Sequence, residues 1–312
     1  MKQYLKFTYT KFGGTFMRKI GMSCLPGFLK QYGIDRSLEI IKESGFDAVD
    51  FSLMQYGLRG KIYGGSEDEF CSHFDAIRKK AEDLELEISQ THGRTCMYEM
   101  KNDAYNADAI EVSKLDLKAT SILGAPSCVI HFPSTSVTGK QTSAFMQEIT
   151  SNIFDSLVPY AEEYKVNIAY ETFGAANLDG SRTIQYFAYP DAFMKQFDAL
   201  DTKYKTICVD TGHTHEVESF WLPSPEEIIK NFGKNVTLLH LHDNDGKKDD
   251  HLLPGLGNIN WPAVFDALDE IDYTGVCNFE LIYNLGKYQE DFARFAGRYL
   301  RKFVDRRGNL KD

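Results

Sequence analysis

The strongest constraint on this chain is the alternation of two hydrophobic periods. From residue 19 onward, short runs with apolar residues at period two alternate with longer runs at helical spacing. Strands are expected at Lys19–Cys24, Ala48–Leu53, Glu87–Thr91, Ser127–Phe132, Val166–Glu171, Lys205–Asp210, Val236–His242 and Gly275–Leu281. Helices are expected at Asp35–Ser44, Glu67–Leu84, Ala107–Leu123, Ser143–Glu163, near Asp191–Phe197 and Pro225–Phe232, and at Trp261–Glu270 and Tyr288–Val304. Gly124 and Pro126 stop the third of these, and Asn260 is a candidate N-cap for the helix at Trp261, with Pro262 in its first turn. Strands joined by helical crossovers build parallel sheets, and eight such units favour closure into a single-domain (β/α)8 barrel. An open doubly wound sheet is the alternative, but Ser23-Cys24-Leu25-Pro26-Gly27 is not the glycine-rich turn it usually carries.

At 312 residues the chain fits one such barrel, assigned to 17–312, with 1–16 as an N-terminal extension. A net charge of -10 and short, scattered basic clusters argue against a nucleic-acid partner. No apolar run approaches the roughly 20 residues that span a bilayer. The six cysteines show no CxxC spacing, and Cys128, Cys208 and Cys277 fall in apolar strand-like runs. They read as reduced core thiols, and the expected location is the cytoplasm.

Polar residues collect where these strands end. His92, His131, Glu171, Asp210, His240 and Glu280 stand at the ends of six of them. His213 and His215 follow Asp210, His242 follows His240, and Asp249 and His251 lie on the next loop, so seven of the eight histidines gather here and only His73 lies elsewhere. Strand ends of a barrel converge on one mouth, where its active sites are built. A carboxylate facing a barrel interior is costly unless paired or metal-bound, which makes Glu171 and Glu280 hard to explain as packing. Glu171, Asp210, His240 and Glu280 form an oxygen-rich set suited to Mn²⁺, Mg²⁺ or Co²⁺ and tolerable for Zn²⁺. His215 and His242 are the weakest candidates. Asp243 and Asp245 are expected to shape the turn through side-chain-to-backbone bonds, and Gly255 and Gly257 to permit a tight loop.

In chain order the motifs THG, VIHF, YETF, VDTGHTH, LLHLHDN, DDHLLPGLGNINW and NFEL resemble the xylose isomerase-like TIM barrel superfamily of sugar isomerases and epimerases, inosose dehydratases and endonuclease IV-type apurinic endonucleases. The resemblance runs from about Met17 to the C-terminus. It implies one divalent metal held by Glu171, Asp210, His240 and Glu280, with the two glutamates as catalytic acid and base on opposite sides of the substrate carbon. Proton transfer next to a carbonyl would pass through a metal-stabilised enediolate. His213 matches a substrate-contacting histidine of the sugar-processing members. The endonuclease members extend the set to three zinc ions through positions matching His92, His131, His213, Asp249 and His251. The implied activity is therefore sugar or sugar-phosphate isomerisation or epimerisation. A hydrolase or lyase with two or three metals is the alternative, followed by a metal-free binding protein. The implied partner is a carbohydrate, with a homo-oligomer also expected. The segment Phe173–Tyr189 is expected to form part of the specificity wall.

Overall fold

The computed structural model describes residues 17–95, 97–133, 142–178, 181–281 and 288–309. The extension 1–16 lies outside them. The strands are β1 (Ile20–Cys24), β2 (Ala48–Ser52), β3 (Glu87–His92), β4 (Ser127–Ile130), β5 (Asn167–Glu171), β6 (Ala175–Leu178), β7 (Ser181–Ile184), β8 (Lys205–Asp210), β9 (Val236–His240) and β10 (Cys277–Phe279). Eight of them form one sheet in the order β10-β1-β2-β3-β4-β5-β8-β9, and every pairing between them is parallel. A parallel bridge between Leu241 and Phe279, with the Leu241 N–H donating to the Asn278 carbonyl at 2.8 Å, joins the two ends. The sheet is thus closed, and the fold is the expected (β/α)8 barrel.

The elements end where the sequence supplies a stop. Ser66 opens the Glu67–Asp83 helix with a reciprocal capping box to Glu69. Gly124 closes the Asp103–Leu123 helix in the left-handed conformation at φ 80°. Asn260 stands at the N-cap of Trp261–Glu270, but its side chain makes no capping bond, so the expected cap is not formed. Asp243 instead gathers the loop: it accepts from the backbone N–H groups of Gly255 (2.7 Å) and Ile259 (3.2 Å) and from Trp261 Nε1 (2.9 Å).

Three elements were not legible in the hydrophobic pattern. A helix at Pro26–Tyr32 precedes the one at Ile34–Glu43, a short helical turn at Thr211–His215 follows β8, and β6 and β7 form an antiparallel hairpin after β5. The hairpin is held down by Arg182, which donates to the carbonyls of Gly246 (2.9 Å) and Glu216. Below the mouth the barrel is filled by Val129, Ala169, Cys208 and Leu238. Cys24, Cys128, Cys208 and Cys277 are buried free thiols. Among the described residues no helix is long and apolar enough to cross a membrane.

Outside the barrel mouth, Asp116 is buried between helix and strand. It accepts from Tyr63 Oη at 2.5 Å and from the backbone N–H of Arg94. Burial pushes its carboxyl up to about 7, against the opposing pull of these donors and of the Arg94 charge. The folded chain therefore holds this proton to higher pH than the unfolded chain. The associated stability is present at low pH and is lost as pH rises through about 7. Asp116→Asn should remove that dependence. Denaturant titrations at about pH 5 and about pH 8 should show the variant gaining on the wild type at the higher pH, by on the order of a few kcal/mol. A difference that stays constant between the two pH values contradicts this assignment.

Candidate metal centre

Six of the eight barrel strands deliver a polar side chain at or just past their C-terminal ends to the mouth. Parallel strands present successive residues to opposite faces, so a polar residue at the final inward position of each strand faces the barrel axis above the apolar plug. Glu171, at the end of β5, is the centre of the resulting cluster and is only 1% exposed. Its Oε1 lies 2.8 Å from His240 Nδ1 and 3.7 Å from His213 Nδ1. Its Oε2 lies 2.6 Å from His131 Nε2 and 3.6 Å from His92 Nε2. Glu280 reaches the same His240 Nδ1 at 3.1 Å through its Oε2. Two carboxylates on β5 and just beyond β10 thus meet at one imidazole nitrogen.

A second group lies beside the first. Asp210 caps the turn after β8 by accepting from the His213 N–H at 2.7 Å, and its other oxygen is 3.0 Å from His242 Nε2. His242 stacks on His251 with centroids 3.9 Å apart. Asp249 approaches His251 Nε2 at 3.0 Å, His213 Nε2 at 3.4 Å and His242 Nε2 at 3.6 Å. His251 Nδ1 is fixed 3.0 Å from the Glu280 carbonyl.

Electrostatics follows from packing so many acids and bases together. Burial pushes the Glu171 carboxyl up, but the His131 and His240 imidazoles beside it more than offset this and hold it well below the usual carboxylate range. Burial pulls His213 down, yet Asp210, Asp249 and Glu171 carry it well above the usual imidazole value. For His251 the balance between burial and Asp249 ends at about 9. His240 is raised in the same way, against burial, by neighbouring acids that include Glu280 and Glu171. These imidazoles take up protons because negative charge surrounds them, the same reason a cation would be held there.

The donor set fits a metal. Single ligand atoms from His92, Glu171, His240 and Glu280 all lie within 4.8 Å of one another, as do those from Glu171, Asp210 and His213, and those from His242, Asp249 and His251. Glu171 Oε2 and His131 Nε2 are both buried without an aligned hydrogen bond although they lie close together, as expected of atoms that point toward a shared ion.

Of the four central residues expected from sequence, Glu171, His240 and Glu280 come together, with His92 as their fourth neighbour. Asp210 joins Glu171 and His213 instead and faces His242. His242, ranked weakest with His215, lies inside the cluster. His215 lies in a structural pair of contacts, 2.7 Å from Glu218 and 2.5 Å from Asn258. Two residues went unnoticed in the sequence. Asp50 Oδ2 and Gln90 Nε2 lie 3.0 and 2.9 Å from His240 Nε2, and both are buried. Their signal was a polar residue inside an otherwise apolar strand.

Phe173 and Phe187 of the segment after β5 are buried, and Phe187 stacks on Phe132 with centroids 4.1 Å apart, so these rings pack within the chain. Tyr189 is exposed. Gly212 has no room for a side chain, because a Cβ there would fall inside the His242 ring.

A closed parallel barrel with acids and imidazoles crowded at the C-terminal ends of its strands defines the class: a (β/α)8 barrel with a polar mouth suited to divalent metal. The chain belongs to the xylose isomerase-like TIM barrel family, whose sequence model matches residues 38–300. Among curated relatives, the uncharacterized protein y4fM of Sinorhizobium fredii is 28% identical over 181 residues, 57% of this chain and 54% of that protein. The match therefore spans about half the length of that relative. A solved D-tagatose 3-epimerase-like protein superimposes with a TM-score of 0.69 at 21% identity, covering 92% of this chain and 97% of that one. The IOLI protein with a bound zinc atom gives a TM-score of 0.69 at 17% identity, covering 92% and 97%.

Gly212→Ala should displace His242 and destabilise the fold by about 1–3 kcal/mol, as overpacking of a filled site does. Denaturant melts check this, and an unchanged midpoint would show that the turn yields without strain.

Proposed function

We propose that the protein is a divalent-metal-dependent sugar or sugar-phosphate isomerase or epimerase. One observation carries the reading: Glu171 and Glu280 approach the same nitrogen of His240, at 2.8 and 3.1 Å, from β5 and from beyond β10. A substrate carbon seated in the mouth would have a carboxylate on each side. The similarity to a D-tagatose 3-epimerase-like protein and to a zinc-bound IOLI protein supports the same reading.

Glu171, His240, Glu280 and Asp210 would hold the ion, with His92 beside them, and the ion would supply a positive charge that makes a proton next to a carbonyl more acidic. Glu171, kept ionised by its imidazole neighbours, removes that proton from one face. Glu280 returns a proton to the opposite face for epimerisation, or to the neighbouring atom for isomerisation. His213, held by Asp210 and by the Thr172 carbonyl 2.9 Å from its Nδ1, presents Nε2 to the mouth as a substrate contact.

A second reading draws on a different observation. His242, Asp249 and His251 form a separate triad with metal-ligand spacing. A hydrolase or lyase using two or three ions would need such a triad. Metal analysis of the purified protein distinguishes the two, at about one ion per chain for the first and two or three for the second.

Incubation with a ketose in deuterated water should place deuterium at C3, or at C2 of an aldose. Glu171→Gln and Glu280→Gln should each lower exchange by roughly 10²–10⁴-fold with an unchanged circular dichroism spectrum. Exchange retained in both variants rejects the two-glutamate mechanism.

A further inference from the structure

We propose that Asp50 is a positioning residue that fixes the ring orientation of His240 and holds the proton on its Nε2, so that Nδ1 is the nitrogen offered to a cation held with Glu171 and Glu280. The proposal rests on the functional reading above for its consequence, and on the barrel interior for its argument.

Asp50 lies mid-way along β2, in register with Ser23 on β1 and Gln90 on β3. A carboxylate at this depth, 1% exposed, is costly unless other groups satisfy it. Its Oδ2 accepts from Ser23 Oγ at 3.1 Å, lies 3.5 Å from Asn278 Nδ2, and stands 3.0 Å from His240 Nε2. Its Oδ1 is buried without a partner. The residue therefore has local support from one hydroxyl and one amide, and its remaining strong contact is the imidazole. Nothing in the helical layer needs a carboxylate here, since β2 is buried on both faces.

His240 has two distinct nitrogens. Nε2 points down the barrel to Asp50 and Gln90, and Nδ1 points up to Glu171 and Glu280. A neutral imidazole carries a single N–H, and a carboxylate is an acceptor only. Carboxylates face both nitrogens, Asp50 at Nε2 and Glu171 and Glu280 at Nδ1. A cation held with the two glutamates would take the place of the Nδ1 proton, and Asp50 would keep the N–H on Nε2, the form in which an imidazole donates to a cation. Gln90 is compatible once its amide is turned to offer oxygen, since the two ends of that group are interchangeable by rotation. The His92 ring lies parallel to His240, 5° from coplanar and 5.3 Å away, and limits tilting of the ring. With the carboxylate below and the second ring alongside, orientation and protonation are set from beneath the mouth.

Asp50→Asn keeps the shape and removes the obligate acceptor, so the tautomer is no longer dictated. Zn²⁺ affinity, measured by competition with a chromophoric chelator, should fall roughly 10–100-fold, the usual effect of losing such a partner. Nitrogen-15 spectra of histidine-labelled, Zn²⁺-loaded wild type should show His240 bound through Nδ1 and protonated at Nε2, a readout that needs no variant and survives a poorly folding one. A wild-type spectrum with Nε2 bound to zinc overturns the proposal. So does an Asp50→Asn protein with unaltered affinity and tautomer. If the wild type shows the expected spectrum yet exchanges no proton into any sugar, the functional reading fails and the Asp50 assignment stands. If the wild type binds no zinc, the Asp50 assignment fails, and the functional reading is decided by the deuterium-exchange assay with Mn²⁺.

Discussion

The structure of the mouth depends on one buried carboxylate that cannot be neutralised by a single partner. Glu171 sits among four imidazoles, those of His92, His131, His213 and His240, each within 3.7 Å. An isolated ion at this depth would be severely destabilised, and a carboxylate with no neighbour would simply take up a proton. Here the surrounding bases hold it ionised, while it helps raise the proton affinity of His213 and His240. The arrangement is a reservoir of charge on fixed backbone positions, since every member stands on a strand or on the residue just past one, except His213, which stands on the short helical turn after β8.

That fixity comes from barrel closure. The parallel register sets Asp210 beside His240 and His92 beside Val129, and the Leu241–Phe279 bridge closes the ring between β9 and β10. Separations along the chain of 69 residues between His240 and Glu171 become contacts of 2.8 Å. The apolar plug of Val129, Ala169, Cys208 and Leu238 supports the layer from below. Asp50 and Gln90 interrupt it on the opposite side, so the floor under His240 is polar while the floor under Glu171 is not. The asymmetry gives the two neighbours different roles: Glu171 answers to the imidazoles around it, and His240 is also tied to groups beneath it.

Most of the architecture was legible in the sequence because it is written in periodicity. Strand ends matched polar residues, and the helix stop at Gly124 sits at a cap. What escaped is of another kind. The β6–β7 hairpin lies in a polar, irregular stretch that Arg182 of β7 ties to Glu216, 34 residues further along the chain. Asp50 is one polar residue in an apolar run, and only the closed barrel shows that it lies against His240, 190 residues away. The position of His242 beside Asp210, Asp249 and His251 was hidden for a related reason. Period two puts both on one face, but the depth at which each side chain stops depends on shear between strands, which no local pattern encodes.

The same depth difference bears on how one barrel mouth can serve different chemistries. His240 reaches the two glutamates, whereas His242, one step further along, reaches Asp210, Asp249 and His251. Two consecutive inward positions of one chain segment thus feed two neighbouring groups of donors, joined through Asp210, His213 and Glu171. A single ion bound by the lower group leaves the upper imidazoles free to meet substrate oxygens. An ion in the upper group would convert those same side chains from substrate contacts into ligands. The number of ions held, rather than any change of fold, would then decide whether the mouth presents a pair of proton-transferring carboxylates or a multi-metal surface.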